Sequence, residues 1–263
     1  MAAAAAEFRR FSYLLLIIFN LLLLPFNSSS AYHLSKHFYS KTCPNALSTI
    51  KTAVHNAVNS DPGTAAALLH LHFRDCFINI GGPSWSVSLG RRDSTTPSKD
   101  AGSTIIPGPA SNLTHLISSF ANKGFTARQM VALSGSHTIG KAHCAAFRNR
   151  IYNDSDIDAS YAAWLRSKCP QSGGDLNYVP LDITTPILFD NAYFKNLQSQ
   201  KGLLHSDQQL LSSGFTNSIV KEYISHPSKF ANDFAEAMVK MSELSPLTGT
   251  NGEIRRDCRR MNY

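Results

Sequence analysis

Apolar residues recur every three or four positions along most of this chain, and this helical period constrains its fold more than any other feature. Such a period puts the apolar side chains on one face of an α-helix, where they can pack against a core. The pattern therefore predicts an all-α protein. The clearest stripes are Leu47, Ile50, Val54 and Val58; Leu113, Leu116, Ile117 and Phe120; and Phe230, Phe234, Met238 and Met241. A dense apolar run on a second predicted helix consists of Leu68, Leu69, Leu71 and Phe73.

Local signals refine this expectation. Thr126-x-x-Gln129 matches a capping box, which predicts that a helix begins there with its next apolar residues facing inward. Glycine and proline are concentrated between residues 80 and 109, so this stretch is predicted to be a long loop. Long loops in compact domains are often functional. Alternation typical of a strand is confined to residues 85–89.

The first residues have the layout of a secretory signal peptide. Two arginines precede an apolar run over residues 11–26, and small polar residues follow up to Ala31. A membrane anchor is the alternative, but the run is short for a span and contains an asparagine and a proline. We therefore predict a signal peptide at residues 1–31, a mature domain at residues 32–263 and no membrane partner.

The charge of the chain bears on its partners. The formal net charge is +7, and a basic secreted protein is attracted to acidic polymers such as cell-wall polysaccharides. The chain has no run of five like charges and no interleaving of basic and aromatic residues. The sequence therefore predicts no nucleic-acid partner. Asn112-Leu-Thr114 and Asn153-Asp-Ser155 are candidate glycosylation sites, although such short motifs also arise by chance. The five cysteines are an odd number, so at least one is unpaired or bonded to another chain.

Three segments carry residues suited to chemistry. His137 is flanked by small residues, which would let a flat ligand approach, although a lone histidine is more often structural. Residues 182–190 place carboxylates and a hydroxyl in a proline-containing loop, which suits Ca²⁺ or, without further context, a solvated loop. Asp207 precedes an apolar helix start and could equally be an ordinary N-cap.

These segments, in this order, resemble the proximal half of the secretory plant peroxidases, or class III haem peroxidases. The resemblance covers nearly the whole mature chain. It rests also on Phe38-Tyr39-x-x-Thr-Cys43-Pro44, Leu71-His72-Phe73-x-Asp75-Cys76-Phe77, Gly81-Gly-Pro-Ser-Trp85, Leu89-Gly-Arg-Arg-Asp93 and Leu244-Ser-Pro-Leu-Thr-Gly249. It implies a two-lobed all-α fold with one haem b between the lobes. It also implies a monomer that reduces H₂O₂ while oxidising small phenolic donors.

The resemblance assigns a role to individual residues. His137 would be the proximal iron ligand, and Asp207 would accept a hydrogen bond from its other ring nitrogen, giving the ligand imidazolate character. Small aromatic donors would dock near Pro107. Cys144 and Cys169 would form a disulfide. The proximal Ca²⁺ would be held by Thr138, Asp182, Thr185, Asp190 and the carbonyl of Leu188.

The first departure from the family lies in the distal helix. Where the family has Arg-Leu-His-Phe-His-Asp-Cys-Phe, this chain has His70 in place of the catalytic Arg and Arg74 in place of the catalytic His. An imidazole can accept and return a proton near neutral pH, whereas a guanidinium stays protonated. His70 lies one helical turn away, about 5 Å, so an exchange of roles is disfavoured.

The second departure is a missing block between residues 79 and 80. On the order of 60 residues of the family pattern, including the distal Ca²⁺ loop, have no counterpart here. Asp75 remains from that site, so the distal lobe is predicted to be truncated and its Ca²⁺ lost. Cys43, Cys76 and Cys258 would each lack the partner that the family provides. A skipped exon or an error in the gene model would explain the clean junction.

Three hypotheses about the function therefore remain open. The first is an active peroxidase; the family serves H₂O₂ removal, lignin and suberin formation, auxin catabolism and the response to oxidative stress. The second is a haem-binding protein without turnover, favoured by Arg74. The third is an unstable or wall-binding secreted protein without haem, favoured by the missing block and the odd number of cysteines. Secretion to the apoplast is expected, with the vacuole as the alternative.

Overall fold

A computed structural model describes residues 34–72, 82–96, 106–257 and 260–262, without the side chains of residues 69–72. The described part is mainly helical, which confirms the all-α prediction. The helices are α1 (Ala46–Ser60), α2 (Gly63–His72), α3 (Leu113–Ala121), α4 (Ala127–Ser134), α5 (Cys144–Asn153), α6 (Ala159–Lys168), α7 (Ala192–Gln198), α8 (His205–Gln208), α9 (Gly214–Ser225) and α10 (Pro227–Ser242). Short 3₁₀ turns cover Gly135–Thr138 and Gln209–Leu211. Strands β1 (Lys141–His143) and β2 (Tyr178–Pro180) form an antiparallel pair in which Lys141 lies opposite Pro180.

The main core forms where α4 and α10 pack together, with α3, α7 and α9 around them. The predicted capping box is present: the Thr126 hydroxyl accepts from the Gln129 backbone N–H, and the Gln129 side chain accepts from the Thr126 N–H. Met130 on α4 is fully buried, as are the aromatic rings that α10 contributes. Leu133 is buried as well, so the prediction that the apolar residues after the capping box face inward is confirmed. The buried aromatic residues of this core are Phe189, Tyr193, Phe194, Tyr223, Phe230 and Phe234.

A second, smaller core lies between α5 and α6. Cys144 at the start of α5 and Cys169 just after α6 are joined by a disulfide with a Cα–Cα distance of 5.6 Å. Phe147 and Leu165 pack beside it and are almost fully buried. The disulfide therefore links the start of α5 to the end of α6.

The helix predicted from the Leu47–Val58 stripe is present as α1, but the stripe is buried at one end only. Leu47 and Ile50 are 51% and 46% exposed, and only Val58 is buried. Among the described residues, α1 packs mainly on α2, and their small shared core is centred on Val58 and Ala65. An amphipathic face buries only as much as its neighbours cover, and here α2 covers one end.

The predicted strand at residues 85–89 is absent from the structure. Residues 82–88 form no strand, and Leu89 makes one isolated bridge to Ser35. Two more bridges join Arg91 to Thr248 and Asp93 to Glu253. The described parts of the predicted loop, residues 82–96 and 106–109, indeed lack helices. Within the described ranges, no helix is both long and apolar enough to span a membrane.

Candidate functional site

A cavity of about 890 Å³ opens between α2, α4, α10, the β1–β2 pair and the loop after β2. Its volume lies within the range typical of small-molecule and cofactor sites. Apolar side chains supply much of the lining, including Ala66, Leu133, Ile139, Leu181 and Met238. Its polar lining residues are Asp61, Ser136, His137, Lys141, His143 and Tyr178. The cavity therefore suits a largely apolar ligand that is bound at a few polar points.

His137 is held in the cavity wall by the 3₁₀ turn that follows α4. The turn can lie against the core because Gly135 has no side chain: a Cβ there would be 2.5 Å from the Phe230 ring. Gly140, at φ +98°, then reverses the chain into β1 with a backbone conformation that other residues rarely adopt. The small residues around His137 thus bring its imidazole to the cavity.

The orientation of the His137 ring is set by Asp207. His137 Nδ1 lies 2.8 Å from Asp207 Oδ1, and the Asp207 side chain is 3% exposed. Nδ1–H donates to the carboxylate, which leaves Nε2 as the ring nitrogen that can bind a ligand. Burial alone would lower the pKa of His137, but the charge and hydrogen bond of Asp207 outweigh it, so the pKa is raised.

Asp207 is itself fixed from two sides. The Tyr193 hydroxyl donates to the same Oδ1 at 2.9 Å. Burial and the nearby Asp207 carboxylate raise the pKa of Tyr193 well above its ordinary value, so the hydroxyl keeps its proton. The Ser206 backbone N–H donates to the Pro109 carbonyl at 3.0 Å, which ties the short helix α8 to the loop that contains Pro107.

The residue after His137 belongs to a cluster of oxygen atoms. Thr138 Oγ1 lies 3.2 Å from Asp182 Oδ2, 3.3 Å from Asp190 Oδ1 and 3.5 Å from the Leu188 carbonyl. Thr185 Oγ1 lies 3.1 Å from Asp190 Oδ1. Neighbouring ligands around Ca²⁺, each about 2.4 Å from the ion, would be about 3.4 Å apart at right angles. The spacing of these oxygens therefore fits a Ca²⁺ shell.

The Asp182 carboxylate is oriented so that one oxygen faces this cluster. Its Oδ1 accepts from Asn196 Nδ2 at 2.8 Å and from the Thr184 N–H at 2.7 Å, while Oδ2 faces Thr138. The described residues contain no group of three or more His, Cys, Asp or Glu side chains that could hold a metal. A cation here would therefore need the hydroxyl and carbonyl oxygens as well as the two carboxylates.

The remaining predicted site residues are separated from this arrangement or lie outside the described residues. Pro107 is half-buried in its loop and is not among the residues lining the cavity. The backbone of His70 belongs to α2, but its side chain is outside the described set. Arg74, Asp75, Cys76 and Cys258 also lie outside it. Cys43 is exposed and forms no disulfide with a described residue.

Two residues at the site were not anticipated from the sequence. Tyr193 donates to Asp207, and Asn196 donates to Asp182, from adjacent turns of α7. Tyr193 precedes Asp207 by fourteen residues, and Asn196 follows Asp182 by the same interval. Such separations carry no local signal, because the contacts depend on how α7 packs.

Comparison with known proteins identifies the family to which this chain belongs. The family model described as Peroxidase matches residues 78–226, more than half of the chain. The lignin-forming anionic peroxidase of Nicotiana sylvestris is 44% identical over 93% of this chain and 96% of its own length. This chain belongs to the class III plant peroxidases.

Other relatives support the same assignment. Peroxidase 2 of Oryza sativa subsp. japonica is 42% identical, covering 89% of this chain and 94% of its own. Peroxidase 4 of Vitis vinifera is 40% identical, covering 90% and 94%. The chain therefore has the all-α peroxidase fold and belongs to a class of secreted oxidoreductases that bind haem and calcium and use H₂O₂ with donor substrates.

Proposed function

We propose that this peroxidase binds one haem b in the 890 Å³ cavity, with His137 Nε2 as the iron ligand. The observation that carries the proposal is an imidazole in an apolar cavity whose Nδ1 is bonded to a buried carboxylate. Haem, when bound, supplies the redox-active iron at which H₂O₂ is reduced. Asp207 fixes the tautomer and ring orientation of His137 and increases the basicity of Nε2.

The oxygen cluster is proposed to hold the proximal Ca²⁺. Thr138 adjoins His137 in the chain, so a cation bound to Thr138 Oγ1 and to the two aspartates would restrain the 3₁₀ turn. The ion would also neutralise two carboxylates that otherwise face one another across a hydroxyl. Calcium is therefore proposed to stabilise the wall of the cavity rather than to take part in the reaction.

We propose that the protein turns over H₂O₂ and phenolic donors, but slowly. The reaction needs a group that takes a proton from the peroxide and returns it to the leaving oxygen. By the family pattern Arg74 occupies that position, and a guanidinium can stabilise negative charge but cannot accept the proton. Loss of a general acid–base costs typically about 10²–10⁴-fold in rate. Arg74 also favours a second candidate function, haem binding without turnover.

A shortened distal lobe is part of this proposal. The alignment with the Nicotiana sylvestris relative spans 310 positions, but 93% of this 263-residue chain is only about 245 residues. About 65 positions therefore lie opposite a gap in this chain, which agrees with a block missing after residue 79. The exposure of Leu47 and Ile50 on α1 supports the same interpretation, since a packing partner of that face is missing among the described residues.

We propose small phenols as donors, with lignin precursors among them. The name of the Nicotiana sylvestris relative attributes lignin formation to that protein, and it also calls that protein anionic. This chain is instead basic, at +7, so we propose that it is retained by acidic polysaccharide in the apoplast, where such donors occur. Donors are proposed to approach near Pro107.

The experiment that tests this function is a haem titration of the purified mature protein, followed by visible absorption. We expect a histidine-ligated haem spectrum that is lost in His137→Ala. His143→Ala is the matched control, because His143 lines the same cavity but its Nδ1 bonds to the Leu176 carbonyl at 3.0 Å. Retention of that spectrum in His137→Ala, or its absence in the wild type, would contradict the proposal.

Adding H₂O₂ and a phenolic donor to the same sample separates the two candidate functions. Coloured product formed slowly but above the rate of free haem supports the peroxidase. A histidine-ligated spectrum without product supports haem binding alone.

A further inference from the structure

Asp207 receives two hydrogen bonds on one oxygen. His137 Nδ1 lies 2.8 Å from Oδ1, and the Tyr193 hydroxyl lies 2.9 Å from the same atom. The rings of His137 and Tyr193 are edge to face, with centroids 6.3 Å apart. The two donors therefore share a single acceptor atom.

Tyr193 is rigidly placed for this contact. It is 2% exposed in the first turn of α7, and its ring packs edge-on against Phe194 with centroids 4.9 Å apart. The start of α7 is anchored on both sides. Asp190 Oδ1 accepts from the Ala192 N–H at 2.7 Å, and Asn191 Nδ2 donates to the Tyr223 carbonyl at 3.0 Å. The tyrosine hydroxyl thus has little freedom to leave Asp207.

The shared oxygen has a consequence for His137. A carboxylate oxygen that accepts a second strong donor has less negative charge to offer the first, because each hydrogen bond polarises the same atom. The Tyr193 hydroxyl therefore competes with His137 Nδ1–H for Asp207. A weaker bond to Nδ1 makes Nε2 a weaker electron donor toward whatever it ligates.

We propose that Tyr193 is a positioning residue that sets the strength of the His137–Asp207 hydrogen bond and thereby the basicity of the iron ligand. This inference rests on the proposed role of His137 as that ligand. Tyr193 is then a second residue, besides Asp207, that affects how strongly His137 Nε2 donates electrons to the iron. The hydrogen bond to Asp207 gives the imidazole imidazolate character, and the hydrogen bond from Tyr193 to the same oxygen reduces that effect.

Tyr193→Phe tests the inference, because it removes one hydroxyl and keeps the buried ring. Tyr223→Phe is the matched control: Tyr223 is also buried and its hydroxyl donates to a buried aspartate, Asp233, at 2.8 Å, but it does not line the cavity. In the reduced haem complex, we expect Tyr193→Phe to raise the iron–histidine stretching frequency and lower the midpoint potential. Tyr223→Phe should leave both unchanged.

A measurement on the haem-free protein keeps the test independent of cofactor binding. With Tyr193 gone, the Nδ1–H proton resonance of His137 should move downfield, since its bond to Asp207 becomes shorter and stronger. No shift in this resonance or in the stretching frequency, relative to Tyr223→Phe, would overturn the inference.

The same samples distinguish a failure of the inference from a failure of the proposed function. If the wild type has no iron–histidine band that disappears in His137→Ala, His137 is not the ligand and the proposed function is wrong. If that band is present and Tyr193→Phe does not move it, only the inference is wrong.

Discussion

The hydroxyl of Thr138 lies 3.2 Å from Oδ2 of Asp182, and Thr138 is bonded directly to His137 in the chain. One member of the oxygen cluster, Thr138, is therefore in the same 3₁₀ turn as the imidazole. Anything that binds the cluster acts on the position of His137, although the two side chains face different surroundings.

Removal of calcium should destabilise the protein through this turn. A ligand at one hundred times its dissociation constant stabilises the folded state by about 2.7 kcal/mol. We expect the wild type to melt at a lower temperature with chelator than with Ca²⁺, and Asp182→Asn to lose that difference. Asp175→Asn is the control, because its carboxylate is 64% exposed and pairs with Arg148. An equal response to Ca²⁺ in wild type and Asp182→Asn would exclude this site.

Exchange of the two distal residues should raise turnover. The variant with Arg74→His and His70→Arg restores the family pattern, including a base that can accept the peroxide proton. We expect a gain of up to about 10²–10⁴-fold in the rate of phenol oxidation at pH 7. Arg148→His is the control, since it places a histidine elsewhere on the chain. A double variant no faster than wild type would mean that these residues do not limit the reaction.

Arg150 should be among the most important charged residues for stability. Its side chain is 1% exposed and donates to Asp154 at 2.8 Å, to Asp156 at 2.5 Å and to the Gly202 carbonyl at 3.0 Å. Asp154 and Asp156 are 16% and 39% exposed, so water can partly solvate them after removal of the guanidinium, and we expect a cost of about 1–3 kcal/mol. Urea unfolding of Arg150→Met should show a loss of this size.

Arg148→Met, on the same helix, provides the comparison for Arg150. Its partner Asp175 is largely exposed, and exposed pairs contribute about 0–1 kcal/mol. Similar losses in the two variants would show that burial does not set the contribution of Arg150.

Stability should fall in acid through Asp233. Burial would raise the pKa of Asp233, but hydrogen bonds from Lys229, Tyr223 and Arg128 outweigh it, so the pKa lies below the ordinary 3.8. Glu222 also faces this cluster, through Arg128. A lowered folded pKa means that the stabilisation is complete above pH 3.8 and is lost as the pH falls through the folded value.

The measurement is the free energy of unfolding between pH 2.5 and 6. Asp233→Asn should be less stable than wild type at pH 6, and the gap should narrow as the pH falls below 3.8 toward the lowered folded pKa of the wild-type carboxylate. Glu236→Gln, an exposed change on the same helix, should leave the profile unaltered. A gap that stays constant down to pH 2.5 would contradict the assignment.

Of the two candidate glycosylation sites, Asn112 should carry the glycan. Asn112 is exposed, its Oδ1 caps α3 by accepting from the His115 N–H at 2.9 Å, and its Nδ2 donates to no other described residue. The Nδ2 of Asn153 instead donates to the carbonyl and Oδ1 of Asn149. In protein secreted from plant cells, Asn112→Gln should lose the glycan mass and Asn153→Gln should keep it. The reverse result would reject the prediction.

The helices that carry the main core could be predicted because their signals are local. The Thr126–Gln129 capping box lies within one turn, and Phe230 and Phe234 share one face of α10. The exposure of Leu47 on α1 could not be predicted from its stripe, since a stripe shows which face is apolar but not whether another element covers it.

The site was predictable only where the resemblance supplied it. His137 and Asp207 are seventy residues apart, and their contact arises from the packing of the 3₁₀ turn against α8. Tyr193 is an ordinary core tyrosine by sequence, and its role depends on where its hydroxyl points. The prediction of a strand at residues 85–89 was wrong, because apolar and polar residues also alternate in extended segments that have no continuous partner strand.

The bridges of residues 89–93 also bear on the order of folding. This short segment pairs with Ser35 on one side and with Thr248 and Glu253 on the other, and the Asp93 N–H donates to the Glu253 carbonyl at 2.8 Å. During synthesis, the second half of this pairing cannot form until residue 253 has emerged from the ribosome. The packed helices between these points can assemble earlier, so the segment is completed among the last parts of the molecule.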